Sequence, residues 1–176
     1  MSERLCFQTE HLKIYPYHQK DFNEFFLLLT NPMVNSSLDI PEFSTDFQRV
    51  RDFLSQISQK TNPDYTWLLY SIYKKKDNRL IGGCGFKVDL KHMTAEIFFM
   101  LFPREWGKGF MVEAALPLLN NIIQLFCLEN IYALILPNNI RAKAVMRKLG
   151  FEYYRTINCI RFGQKRSVQK WILRAR

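Results

Sequence analysis

Apolar positions along this chain follow two rhythms. Leu12 and Ile14 alternate with Lys13 and Tyr15, which predicts an edge-like strand ending near Pro16. Phe22, Phe25, Phe26 and Leu29, and then Phe47, Val50, Leu54 and Ile57, recur at helical spacing and predict two amphipathic helices. Asp21 stands where it can cap the first helix, and Asn31-Pro32 closes it. Thr45 followed by Gln48 fits a capping box for the second. Between them, Met33 to Phe43 reads as a loop carrying Asp39 and Glu42. Tyr65–Lys74 is rich in β-formers, Lys75–Arg79 is a charged turn, and Leu80–Val88 is the return strand. Gly82-Gly83 inside that strand predicts a bulge or the close approach of another group.

The pattern then changes within a few residues. Ile97–Phe102 is an apolar run of strand length that Pro103 stops, completing an antiparallel meander of three strands. Gly107 and Gly109 follow, two apart, where backbone must approach something closely. Val112, Ala115, Leu116, Leu119, Ile122, Ile123 and Phe126 then mark one face of a helix. Pro117 lies inside that helix, which predicts either a kink that frees the Glu113 carbonyl or a helix ending earlier. Free amides at a helix start, beside glycine and Lys108, make a site for a phosphorylated ligand. The P-loop spacing is absent. The dinucleotide fingerprint fails because Val112 holds the place of its third glycine.

Asn130–Leu136 reads as a buried strand, parallel to the central one through a right-handed crossover. Asn139 is a good N-cap for a helix with Ala142, Val145, Met146 and Leu149 inward, and Gly150 ends it. Phe151–Phe162 and Ser167–Arg174 read as a hairpin around Gly163–Arg166.

Composition narrows the classes. A chain of 176 residues, 48% apolar, predicts a single domain spanning 1–176 with a real core. No segment has the uninterrupted apolar length of a membrane span, and residues 1–8 lack the apolar core of a signal peptide. Cys6, Cys84, Cys127 and Cys159 are too scattered for a Cys-x-x-Cys site and predict free, mostly buried thiols in a reducing, cytoplasmic setting. No metal site is expected. His92 is a lone loop histidine. The net charge of +9 favours anionic partners such as coenzyme A.

Arg104-x-x-Gly107-x-Gly109 resembles the Arg/Gln-x-x-Gly-x-Gly/Ala signature of the GNAT superfamily of acetyl-CoA-dependent N-acyltransferases. Three further patches are similar to its ribosomal-protein N-terminal acetyltransferase branch. Thr9–Tyr17 looks like Thr-Glu-Arg-Leu-x-Leu-Arg-Pro-Leu, and Trp106–Phe110 like Trp-Gly-Lys-Gly-Tyr. Asn139, Lys148, Leu149, Gly150 and Phe151 match the Asn-x-x-Ser … Lys-Leu-Gly-Phe block. The order of elements, β-α-α-β-β-β-α-β-α-β-β, agrees over nearly the whole chain.

The resemblance implies an α+β fold: a mixed, mostly antiparallel sheet of about seven strands, helices on both faces, and a splay between the fourth and fifth strands, beginning after Met100. It implies that acetyl-CoA is the acyl donor, with its pantetheine arm paired to Met100, Leu101 and Phe102 and the Leu101 amide polarising the thioester. Amides from Trp106 through Gly107, Lys108, Gly109, Phe110 and Met111 would take the pyrophosphate, with charge from Arg104 and Lys108. Asn139 would bond the pantetheine end, and Arg141 and Lys143 the phosphoadenosine. Glu96 matches a strand carboxylate that serves as base in some members, with a raised pKa if it is buried; pairing with a nearby Lys or Arg is its structural alternative. Ala142 stands where the branch has Ser, and Met146 where other members carry a Tyr that protonates the thiolate. Water, Tyr153, Tyr154 or Cys159 would then supply that proton. The implied acceptor is a primary amine, of a protein N-terminus or a small molecule. With only Asp39, Glu42 and Glu96 as candidate acidic contacts and a net charge of +9, a protein N-terminus is preferred to a polyamine, and the Asp39–Glu42 loop could lie over the site. Homodimers occur in the family. The competing reading is a catalytically degenerate module binding ribosome, RNA or acyl-CoA; no RNA-binding motif is present, and the lysines are spread rather than striped.

Overall fold

The computed structural model of the protein describes residues 6–38, 46–59, 64–161 and 164–175. Chain order is β1 (Phe7–Gln8), β2 (Leu12–Pro16), α1 (Phe22–Leu29), α2 (Pro32–Leu38), α3 (Phe47–Gln59), β3 (Tyr65–Lys74), β4 (Leu80–Asp89), β5 (Thr94–Leu101), α4 (Phe110–Phe126), β6 (Asn130–Ile135), α5 (Ile140–Lys148), β7 (Glu152–Arg161) and β8 (Gln164–Arg174). One eight-stranded sheet runs β1-β2-β3-β4-β5-β6-β8-β7. All neighbours pair antiparallel except β5 and β6, which are parallel.

The alternation in β5 explains its place between two cores. Ala95, Ile97 and Leu101 enter a core with α4 and α5 residues such as Leu118, Leu119 and Met146. Met100, with Phe98 packed beside it, enters a second core with Phe25, Leu28, Val50 and Leu54 of α1 and α3.

Several local expectations change. An eighth strand, β1, adds a two-residue edge to β2 through Phe7↔Ile14 and Gln8↔Lys13. Part of the expected loop after Asn31 is a helix, α2, with Pro32 at its start; Asp39 and Glu42 lie outside the described residues, as does Thr45. Asp46 instead accepts the Arg49 amide at 3.1 Å at the start of α3. Asp21 does not cap α1; its buried carboxylate accepts the hydroxyls of Ser71, at 2.6 Å, and Tyr73.

Helix α4 continues through Pro117 to Phe126 rather than ending before it. Its buried stripe is Met111, Ala114, Ala115, Leu118, Leu119 and Ile122, while Leu116, expected inward, faces solvent. The last hairpin is tighter than expected, with Arg161 already opposite Gln164, and β8 inserts between β6 and β7. Of the cysteines only Cys84 is buried, where burial pushes its thiol pKa up; Cys6 and Cys127 are exposed. Among the described residues no helix is long and apolar enough to cross a membrane.

Candidate active site

The parallel ladder between β5 and β6 holds for three pairs only, Thr94↔Asn130, Ala95↔Ile131 and Glu96↔Tyr132. Beyond Glu96 the strands part. The parting thus begins four residues earlier than a splay after Met100. The backbone phase then decides which edge groups face the gap. The Phe102 amide donates to the Ile81 carbonyl at 2.9 Å, so Phe102 and, two residues back, Met100 spend their amides on β4. Phe99 and Leu101 point theirs into the gap. Of the three residues expected along the pantetheine arm, only Leu101 thus turns its amide to the gap, where Phe99 joins it. The Leu101 carbonyl is already taken by the Trp106 indole N–H at 2.8 Å.

Below the gap lies the start of α4. Gly107 has φ +76° and Gly109, the residue before the helix, φ +83°, left-handed conformations that glycine adopts without strain. No side chain caps this helix, and a Cβ built at either glycine would meet nothing within 4 Å. First-turn amides therefore open onto empty space, the arrangement that binds anionic groups.

Gap and turn together form a cavity of about 560 Å³. Glu96, Met100, Leu101, Trp106, Gly107, Gly109, Phe110, Met111, Asn139 and Arg141 all line it. Glu96 is half-buried, and the register puts Lys87 directly opposite it on β4. Phe102, Arg104, Lys108, Lys143 and Tyr153 are not among the lining residues. Lys108 and Arg104 turn to Glu105, at 3.2 and 3.7 Å. Lys143 donates to the Pro137 carbonyl. Arg141 covers the Trp106 ring at 4.8 Å. Tyr153 sits on the outer strand β7, its hydroxyl 3.0 Å from Thr156 and its ring against Trp171. Tyr154 and Cys159 are also outside the lining, as are His92, whose Nδ1 is 2.9 Å from Asp89, and Met146, which is buried.

Asn139 has a double task. Its Oδ1 accepts the Ala142 amide at 3.0 Å and caps α5, while its Nδ2 donates to the Ser37 carbonyl of α2 at 2.9 Å. Two features of the wall escaped sequence reasoning. Helix α2 contributes Met33, Val34, Ser37 and Leu38. Glu105, only 1% exposed, gathers Arg79 at 2.9 Å, Lys108, Lys74 at 3.6 Å and Arg104. An acidic residue just before a glycine turn was the available signal; its partners on β3 and beyond were not. Among the described residues no three His, Cys, Asp or Glu side chains gather as a metal site.

A family model described as an acetyltransferase (GNAT) domain matches residues 11–152. The chain belongs to the GNAT acetyltransferase family. It is an acyltransferase, and acetyl-CoA is the family's acyl donor. A GNAT relative, the uncharacterized N-acetyltransferase p20 of Bacillus licheniformis, is 28% identical over 145 residues, covering 82% of this chain and 80% of that one. Two solved structures share the GNAT fold. The GNAT-family acetyltransferase of Bacillus anthracis has TM-score 0.80 and 21% identity over 97% of this chain and 98% of that one. Spermidine N-acetyltransferase from Vibrio cholerae, in complex with CoA and spermine, has TM-score 0.77 and 17% identity over 93% and 95%.

The residues present fit such a donor. Uncapped amides, an open glycine turn and free strand edge groups meet in one cavity, and each suits a different part of a phosphorylated, amide-bearing thioester.

Proposed function

We propose that this chain transfers an acetyl group from acetyl-CoA directly to a primary amine, with donor and acceptor bound together. The observation that carries the proposal is the parting of β5 from β6 above the uncapped start of α4. Amides from Gly107 to Met111 take the pyrophosphate, aided by the helix dipole. Edge groups of Phe99 and the Leu101 amide align the pantetheine arm and the acyl oxygen. Acetyl-CoA supplies the activated thioester.

The chain's own chemistry has three parts. Glu96, on the wall of the cavity, takes the proton from the acceptor ammonium, directly or through water. The Leu101 amide stabilises negative charge developing on the acyl oxygen. Ala142 has no proton to give and Met146 is buried, so water protonates the departing thiolate. The acceptor is a protein N-terminus in preference to a polyamine, because a chain of net charge +9 repels polycations at long range.

Calorimetric titration with acetyl-CoA tests the reading. Saturable binding is expected in the wild-type protein and its loss in Gly109→Glu, where a charged side chain enters the phosphate space at a left-handed φ. Equal binding by folded Gly109→Glu would falsify it.

A further inference from the structure

The cavity has two unlike halves. Side chains alternate along β5, so Glu96, Phe98 and Met100 share the face turned toward α1–α3, away from α4. Helix α2 closes that half with Met33, Val34 and Leu38. Trp67 braces Phe98 from behind, ring to ring at 5.7 Å. Among the described residues lining this half, Glu96 is the charged group. The other carboxylate among the described lining residues, Glu105, is surrounded by four cationic side chains, Arg79, Lys108, Lys74 and Arg104, within 3.7 Å. An incoming cation there would meet an excess of positive charge.

From this we infer that the acceptor carries a single positive charge on an apolar body, its ammonium at Glu96 and its body against Met33, Val34, Leu38, Phe98 and Met100. The inference rests on the acetyl-transfer reading and narrows its acceptor. A polyamine would leave its further ammonium groups against Met33, Val34, Leu38, Phe98 and Met100, an apolar wall with no second carboxylate among the described residues, and a buried unpaired charge is costly. An apolar body instead gives up water-exposed surface on both sides. The same chemistry can arrive as a peptide α-amine beside a large apolar side chain or as a small aralkylamine.

Coenzyme A release at saturating acetyl-CoA separates these cases. The acceptors are a tetrapeptide beginning with Leu, the same peptide beginning with Asp, 2-phenylethylamine and spermidine. The Leu peptide or 2-phenylethylamine should exceed spermidine in kcat/KM by ~100-fold, and whichever of the two leads identifies the source. The Leu peptide should also exceed the Asp peptide. Met33→Glu, at a position 55% exposed on the mouth of the cavity, should lower turnover of the apolar amine and raise that of spermidine, each by ~10-fold.

Preference for spermidine, equal use of both peptides, an unmoved ratio in Met33→Glu, or donor binding without turnover of either apolar amine overturns the inference. Titration of the same wild-type sample with acetyl-CoA reads the other question. If the donor binds and spermidine is preferred, only the acceptor assignment falls; if no donor binds, the acetyl-transfer reading falls with it.

Discussion

The side-chain amide of Asn139 donates to the main-chain carbonyl of Ser37 across 2.9 Å, so the residue that opens α5 also fastens the last turn of α2 over the cavity. Both halves of its amide are engaged within the protein, since Oδ1 caps Ala142. Asn139 thereby fixes the wall of the cavity. Asn139→Ala removes both bonds. The cap alone is worth about 1 kcal/mol, and a chain of this size loses roughly 2–4 °C in Tm per kcal/mol. A thermal melt should show that drop, and KM for the acceptor should rise more than KM for acetyl-CoA. An unchanged acceptor KM would limit Asn139 to capping.

Glu96→Gln keeps the size of the side chain and removes its basicity. If Glu96 accepts the ammonium proton, kcat falls ~100-fold or more, while the acetyl-CoA affinity measured by titration stays as it was. A wild-type rate would remove Glu96 from the reaction and leave it a structural partner on the ladder facing Lys87.

Glu113 ties the chain's beginning to the start of α4. Burial alone would raise its carboxyl pKa. The Thr9 hydroxyl, the His11 amide and the His11 ring outweigh burial and hold the pKa below the ordinary value of 4.5. A folded pKa lower than the unfolded one stabilises the protein above the unfolded value. That contribution is lost as pH falls from about 4.5 through the folded pKa. Glu113→Gln should cost about 1 kcal/mol at pH 7. The gap between the two proteins' melting curves should close under acid. A gap that stayed constant from pH 7 to pH 3 would show that the carboxylate's charge plays no part.

Gly82 lies where β4 meets the end of β5. A Cβ there would stand 2.1 Å from the Met100 carbonyl oxygen and 2.9 Å from the Leu101 Cα, both backbone atoms that cannot swing aside. Gly82→Ala should therefore cost on the order of 1–3 kcal/mol and displace Leu101. Reduced denaturant stability together with lower kcat is expected. Full stability with full turnover would mean that the strand ends move apart freely.

Much of this site could be read from local pattern. The strand, glycine turn and amphipathic helix around Gly107 and Gly109, and the Asn139 cap, depend on neighbours within a few residues, and they stand where the periodicity placed them. What escaped depends on distance. Asp21 is a plausible cap until Ser71 and Tyr73, fifty residues on, claim its carboxylate. Helix α2 buries only Val34, so no periodic stripe announced it. The point where β5 leaves β6 follows from the twist of the whole sheet, which no single strand encodes. Tyr153 lies outside the cavity lining for the same kind of reason, because β8 slips between β6 and β7 and carries the latter outward.

Among the described residues, three ladder pairs and the Glu129 amide on the Met93 carbonyl, at 2.8 Å, join the five earlier strands to β6, β8 and β7 through the backbone. Mechanically the sheet is two plates riveted along one short seam near Thr94 and Asn130. Away from that rivet, the helices packed across the opening hold the angle between them. A molecule lodged there would act as a shim, stiffening the joint between the two plates.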